Sequence, residues 1–251
     1  MAEIGADWEE RFANYRKKHP GATFAEYYVA QAVAKIRKGR PMASLGPLLR
    51  DDTRKGAALE FEEAGESGFR RYATLASLTP EHRVVDYGCG SLRLGLHFMR
   101  RLSPGNYFGL DVTRDLIEIG TSLIGPELLA EKRPRLATIA DGVGEATAFG
   151  ADVVISNAVS YHVHPTETGA YFANLRNLAG KPGAILVFDV MTADRPVRYN
   201  GGGWAWPLEF FVEQLKPMSF VAAHGRRPVT DKRALVAEIT GTTLEFRTQT
   251  I

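Results

Sequence analysis

The chain has 251 residues, enough for one large core or a core with an attached subdomain, and its 45% hydrophobic and 24% charged residues exclude disordered, collagen-like and coiled-coil readings. The single cysteine, Cys89, removes any internal disulfide, and a formal net charge of +2 is too small to argue for a nucleic-acid partner. No apolar run approaches the ~18 residues of a membrane helix, and residues 1–10 are acidic without an apolar stretch, so no membrane association, no secretory leader and a cytoplasmic location are expected.

Trp8, Phe12 and Tyr15 form a helical stripe over residues 7–18 that Pro20 and Gly21 end. Thr23 and Glu26 have capping-box spacing and predict a second helix to about Arg37. Residues 40–56 carry prolines, glycines and mixed charge without periodicity and read as a linker. Lys17, Lys18, Lys35, Arg37, Lys38 and Arg40 make this part locally basic, a solvated face or a contact for an acidic substrate. Phe69, Tyr72, Leu75 and Leu78 predict a third helix within residues 59–78, interrupted near Gly65 and Gly68.

Beyond Pro80 the pattern changes to short apolar runs at 84–86, 107–111, 136–139, 153–156, 184–190, 220–223 and 235–239. Helical stretches at 92–102, 114–124 and 166–179 separate most of the first five, and residues 141–151 stay ambiguous. Apolar strands alternating with helices predict a doubly wound α/β fold with a mostly parallel, seven-stranded sheet. Residues 1–78 form a helical N-terminal extension or cap, and residues 79–251 the ligand-binding domain.

Ligands of open α/β sheets sit at the carboxyl ends of the strands, which directs attention to Asp86, Tyr87, Gly88, Cys89, Gly90, Ser91, Leu92 and Arg93 after the first strand. Gly88 and Gly90 let the backbone turn tightly and a ligand approach closely. A dinucleotide site would place a third glycine where Arg93 stands, and Asp86 would repel a pyrophosphate but attract an amino group or a sulfonium. Asp111, at the end of the second strand and about 20 residues on, has the spacing of an acid that accepts from ribose hydroxyls. Asp141 and Gly142 follow the third strand, as an acceptor for an exocyclic amine or as an ordinary turn.

These residues resemble the class I S-adenosylmethionine-dependent methyltransferases over about residues 79–239. The loop Gly88, Cys89, Gly90, Ser91, Leu92, Arg93, with residues 106–109 and 132–135 downstream, is similar to a bacterial branch whose loop reads GCGSLR. The resemblance implies S-adenosyl-L-methionine as cofactor, with Asp86, Gly88 and Gly90 at the methionine end, Asp111 at the ribose, Asp141 at the adenine and Asn157 beside the ligand. Arg93 either pairs with the methionyl carboxylate or is an exposed first-turn arginine. Leu92 departs from the common motif, which has glycine there.

Methyl transfer needs a nucleophile aligned with the sulfonium methyl and, for a hydroxyl, a proton acceptor. In the branch a histidine falls at His162, and an ordinary imidazole pKa of about 6.5 suits a base. His162 is favoured over His164, the alternative being that it packs or caps the helix after Pro165. The segment has no carboxylate cluster for magnesium, so no metal is expected. Residues 189–207 carry Arg195, Arg198, Tyr199, Gly201, Gly202, Gly203, Trp204 and Trp206. They read as a lid whose Tyr199, Trp204 and Trp206 wall the acceptor pocket, or as tryptophans packed on the N-terminal helices. Phe69, Arg70 and Tyr72 are placed over the same pocket by fold analogy. The expected activity is methyl transfer to a small-molecule acceptor, at oxygen; a noncatalytic nucleoside-binding module and a nicotinamide (NAD) oxidoreductase are the other readings. The apolar N-terminal helices also leave a homo-oligomer open.

Overall fold

The computed structural model describes residues 6–37, 54–199, 203–228 and 238–250. Three helices, α1 (Ala6–Lys18), α2 (Phe24–Arg37) and α3 (Arg54–Leu75), precede the first strand, β1 (Val84–Tyr87). Then follow α4 (Gly95–Arg101), β2 (Tyr107–Asp111), α5 (Arg114–Ile124), α6 (Pro126–Lys132), β3 (Arg135–Thr138), α7 (Ile139–Phe149), β4 (Val153–Ser156), α8 (Thr168–Leu178) and β5 (Ile185–Thr192). A two-stranded hairpin, β6 (Val197–Tyr199) and β7 (Gly203–Ala205), leads to α9 (Leu208–Gln214), β8 (Ser219–Pro228) and β9 (Thr240–Arg247).

The main sheet has seven strands in the order β3-β2-β1-β4-β5-β9-β8. Pairings from β3 through β5 are parallel, and β9 runs antiparallel to both of its neighbours. The reversal between β1 and β4 is the topological switch point, so β1, β2 and β4 deliver their carboxyl ends to one crevice.

Alternation along the strands divides the core in two. Val85, Phe108, Val154, Leu186 and Phe188 face α7, α8 and α9 through Phe149, Phe172, Leu175 and Phe211. Val84, Tyr107, Val153, Ile155 and Val187 face α3, α4 and α5 through Tyr72, Phe98, Met99 and Ile117. The third N-terminal helix is therefore part of the sheet's own core.

Several elements depart from the pattern expected of the sequence. The last strand is β9 at Thr240–Arg247; of the run at 235–239, only residues 238 and 239 are described, and Ile239 is a buried residue just before it. Thr240, Gly241, Thr242 and Thr243 diluted its apolar signal. Residues 141–151, ambiguous by pattern, lie mostly in α7, which Thr138 opens by accepting from the Asp141 backbone N–H at 3.2 Å. The helix α3 passes through Gly65 and Gly68 without a break, and most of the expected linker at 40–56, together with Lys38 and Arg40, lies outside the described residues. The expected capping box of α2 is present, with Glu26 N–H donating to Thr23 at 3.1 Å and Thr23 N–H to Glu26 at 2.8 Å.

Candidate active site

The loop after β1 turns on left-handed backbone at Gly88 (φ 86°) and Gly90 (φ 55°), and Leu92 repeats it at φ 59°. A left-handed leucine costs about 1–2 kcal/mol, offset here by complete burial of its side chain. The loop thus keeps a glycine-like bend at the position where the common motif has glycine. Two helices hold it by close approach. A Cβ on Gly65 of α3 would lie 2.1 Å from the Arg93 carbonyl oxygen, and one on Gly120 of α5 would lie 2.3 Å from that of Ser91.

Asp111 closes β2 beneath this loop. Its carboxylate accepts from Gly90 N–H at 2.8 Å and from Thr113 N–H at 3.1 Å, and burial pushes its pKa up to about 6. Asp86, on β1, is 1% exposed and accepts from the Tyr107 hydroxyl at 2.8 Å. Burial drives its pKa to about 7; the tyrosine hydrogen bond opposes that and Asp111 adds to it. Cys89 is buried against Gly109, and burial raises its thiol well above the ordinary value, so it is no nucleophile.

Above the strand ends stands a cluster of aromatic and charged side chains. Asn157 Oδ1 accepts from the fully buried Tyr72 hydroxyl at 3.4 Å. Arg71 lies over the Tyr72 ring at 4.9 Å and pairs with Asp189 of β5 at 2.9 Å, while its buried Nε has no hydrogen-bond partner among the described residues. His162, in a short 3-10 turn at Ser160–His162, stacks on Tyr28 of α2 at 5.3 Å and adjoins the Tyr161 ring at 4.6 Å. Burial pushes Tyr161 up to about 12; Asp189 and Tyr28 add to this, and Arg71 and Arg93 oppose it. Tyr28 is raised by burial and by the charge of Asp111, and burial lowers the half-buried Arg93, against the Tyr161 phenol. Tyr161 therefore lies within electrostatic reach of Tyr28, Arg71, Arg93 and Asp189, and Tyr28 within reach of Asp111.

Tyr28, Arg71, Tyr161 and Asp189 escaped the sequence reading. Tyr161 could have been found as the neighbour of His162, and Arg71 by a one-residue shift of helical phase. Arg70 instead points outward and pairs with Glu66 at 2.6 Å, while Phe69 packs on His97 and Phe98.

Other expected residues stand elsewhere. Asp141 is exposed in the first turn of α7, accepts from the Thr138 hydroxyl at 2.7 Å and lies 3.8 Å from Arg114, so it is a capping residue at the edge of the crevice. Gly142 serves packing, since a Cβ there would lie 2.4 Å from that of Ala137. His164 is buried, bonded to Thr166 at 2.7 Å and to Glu9 at 3.2 Å, and stacked on Phe24. Trp204 joins Phe12, Phe24 and Tyr27 in the same aromatic cluster, and Trp206 stacks on Phe210 at 4.3 Å. The two tryptophans thus pack on the N-terminal helices and on α9, and Gly203 is a strand residue. The Tyr199 side chain, Gly201 and Gly202 lie outside the described residues. Among the described residues no group of His, Cys, Asp or Glu side chains has the arrangement of a metal site, and no helix is long and apolar enough to cross a membrane.

No family model and no curated protein match the sequence. The fold, however, is shared with solved structures of class I, Rossmann-like methyltransferases and their structural kin. The chain is similar to the (4+2)-cyclase SpnF, with a TM-score of 0.62 and 14% identity over 92% of this chain and 99% of that one. Magnesium protoporphyrin IX methyltransferase from Synechocystis, solved with bound S-adenosylhomocysteine, gives a TM-score of 0.56 and 14% identity over 90% and 98%. A methyltransferase from Bacillus halodurans, assigned as such only provisionally, gives 0.54 and 12% over 73% and 100%. At such identities the likeness establishes the fold.

Proposed function

We propose that the chain is an S-adenosylmethionine-dependent methyltransferase that acts on the oxygen of a small-molecule acceptor, in the branch marked by the GCGSLR loop. The observation that carries the reading is the pairing of the Gly88–Gly90 loop with the buried Asp111 at the adjoining strand end. The residues fit the group. Gly90 has no atom within 4 Å of where a Cβ would stand, leaving the backbone open to close approach, and Asp111 retains lone pairs for ribose hydroxyls. Asp86 lies buried behind the loop, about half ionised at neutral pH, and its partial negative charge disfavours a pyrophosphate, which supports a sulfonium over a dinucleotide. Arg93 is the candidate partner of the methionyl carboxylate, and Asn157 lies beside the ligand.

When bound, S-adenosylmethionine supplies a methyl group on a sulfonium that leaves readily. The chain's own part is alignment and proton removal. His162 takes the acceptor's hydroxyl proton on its imidazole and Tyr28 holds the ring by stacking. Tyr161, pushed up to about 12, keeps its proton at neutral pH and donates a hydrogen bond to the acceptor. Within the N-terminal extension, α1 and α2 act as the cap on the acceptor side, whereas α3 belongs to the sheet's core.

Calorimetry with S-adenosylmethionine, S-adenosylhomocysteine and NAD tests the reading. Binding of the first two and not the third is expected; binding of NAD alone would assign the crevice to a nicotinamide cofactor. Binding without turnover on any hydroxylated acceptor would leave the noncatalytic nucleoside-binding module.

A further inference from the structure

Away from the strand-end cluster, the guanidinium of Arg198 is held in an unusual way. Arg198 lies on β6 opposite Trp204 of β7, with 20% of its side chain exposed. Its Nη1 donates to Glu9 Oε1 of α1 at 3.2 Å, and the same oxygen lies 3.2 Å from His164 Nε2. The guanidinium carbon stands 5.3 Å from the Trp204 ring centroid. Nε and Nη2 are buried and have no hydrogen-bond partner among the described residues.

Those two nitrogens form one edge of the planar group, two parallel N–H donors that match the two oxygens of a carboxylate. A charged donor pair buried without an acceptor is costly, so the edge suits a ligand that brings its own acceptors. The placement agrees. The hairpin β6–β7 packs on the Ser160–His162 turn, which also carries His162, and Trp206 bridges to Thr192 at the carboxyl end of β5. Arg198, Glu9 and His164 therefore stand where α1, the segment after β4 and the segment after β5 meet.

We propose that the Nε–Nη2 edge of Arg198 is a carboxylate-binding subsite and that the methyl acceptor is a small acid docked there by its carboxylate. The acceptor part rests on the function proposed above; the subsite itself does not. A carboxylate is preferred to a phosphate because Glu9, on the same guanidinium, repels a dianion more than a monoanion.

Titration of the full chain with benzoate, benzamide and phenyl phosphate, followed by calorimetry and by the arginine Nε–H resonances, tests this. Benzoate is expected to bind the wild type at least tenfold more tightly than either analogue and to shift one Nε–H resonance that Arg198→Lys removes. Arg198→Lys, which keeps the charge without the planar edge, and Arg198→Gln are expected to weaken benzoate at least tenfold and to leave S-adenosylhomocysteine affinity unchanged. Benzoate held no better than benzamide by the wild type, or equally well by the variants, overturns the proposal. Preference for phenyl phosphate also overturns it. Arg198-dependent benzoate binding in a chain that binds no S-adenosylhomocysteine would uphold the subsite and remove the methyl-transfer reading instead.

Discussion

Asp86 and Asp111 are two buried carboxylates beneath one loop, and each is held above the ordinary aspartate value of about 3.9. Between about pH 4 and pH 7 the folded chain therefore binds more protons than the unfolded chain, and these groups make stability fall as pH rises through that window. Asp86→Asn keeps an acceptor for the Tyr107 hydroxyl and removes the charge. It is expected to stabilise the fold at pH 8 by on the order of 1–3 kcal/mol and to give little at pH 4, read by urea unfolding at both values. The candidate base makes a different prediction. His162→Ala should lower turnover about 10²–10⁴-fold and leave S-adenosylhomocysteine affinity intact, whereas unchanged turnover would make the stacked imidazole structural. Asp86, Gly88, Gly90 and Asp111 were legible in the sequence because strand-end position and spacing identify them. Tyr28 and Arg71 were not, because helical periodicity names the buried stripe and says nothing about which strand end a helix will cover. His164 and Trp204 pack in the aromatic cluster of α1 and α2, a placement the sequence does not show, because a polar or aromatic residue in a loop looks the same whether it meets a ligand or another helix.

At the scale of elements, the parallel strands were read almost to the residue because their apolar runs are continuous, while β9 was displaced by the small residues at its start. Gly65 and Gly68 looked like breaks in α3 and instead let it lie against the segment after the glycine loop. Helix propensity is a weak prior, and here contact decides. Gly65→Ala would drive a Cβ into the Arg93 carbonyl, a backbone atom with little freedom to yield, and is expected to cost about 1–3 kcal/mol in denaturant unfolding and to weaken S-adenosylhomocysteine binding. Gly144→Ala is the control. It lies exposed in α7 with nothing within 4 Å of the new Cβ, so it is expected to add about 0.5–1 kcal/mol and leave binding alone. Equal effects of the two would remove the close-approach argument.

Across the whole molecule, the proposed acceptor side is assembled from segments far apart in sequence: α1 and α2, the stretch after β4, and the β6–β7 hairpin. Their shared core is Phe12, Phe24, Tyr27 and Trp204, and its polar tie is Glu167, whose carboxylate accepts from the backbone N–H groups of Phe24 and, at 3.2 Å, Ala25. The start of α2 thus has two caps, its own Thr23–Glu26 box and a carboxylate from the segment that also carries His162. Glu167→Ala removes only the second. The helix should persist, because the box remains, but its attachment should weaken, with a loss of about 0.5–2 kcal/mol typical of a lost helix cap. Since Tyr28 is the α2 residue stacked on His162, loosened docking is expected to reduce turnover or raise the acceptor KM while S-adenosylhomocysteine affinity holds. Amide hydrogen exchange should report the change as faster exchange in α2 with β1 and β4 unaffected. Faster exchange throughout the sheet would mean instead that the N-terminal helices and the sheet unfold as one unit, and that the cap has no separate motion to tune.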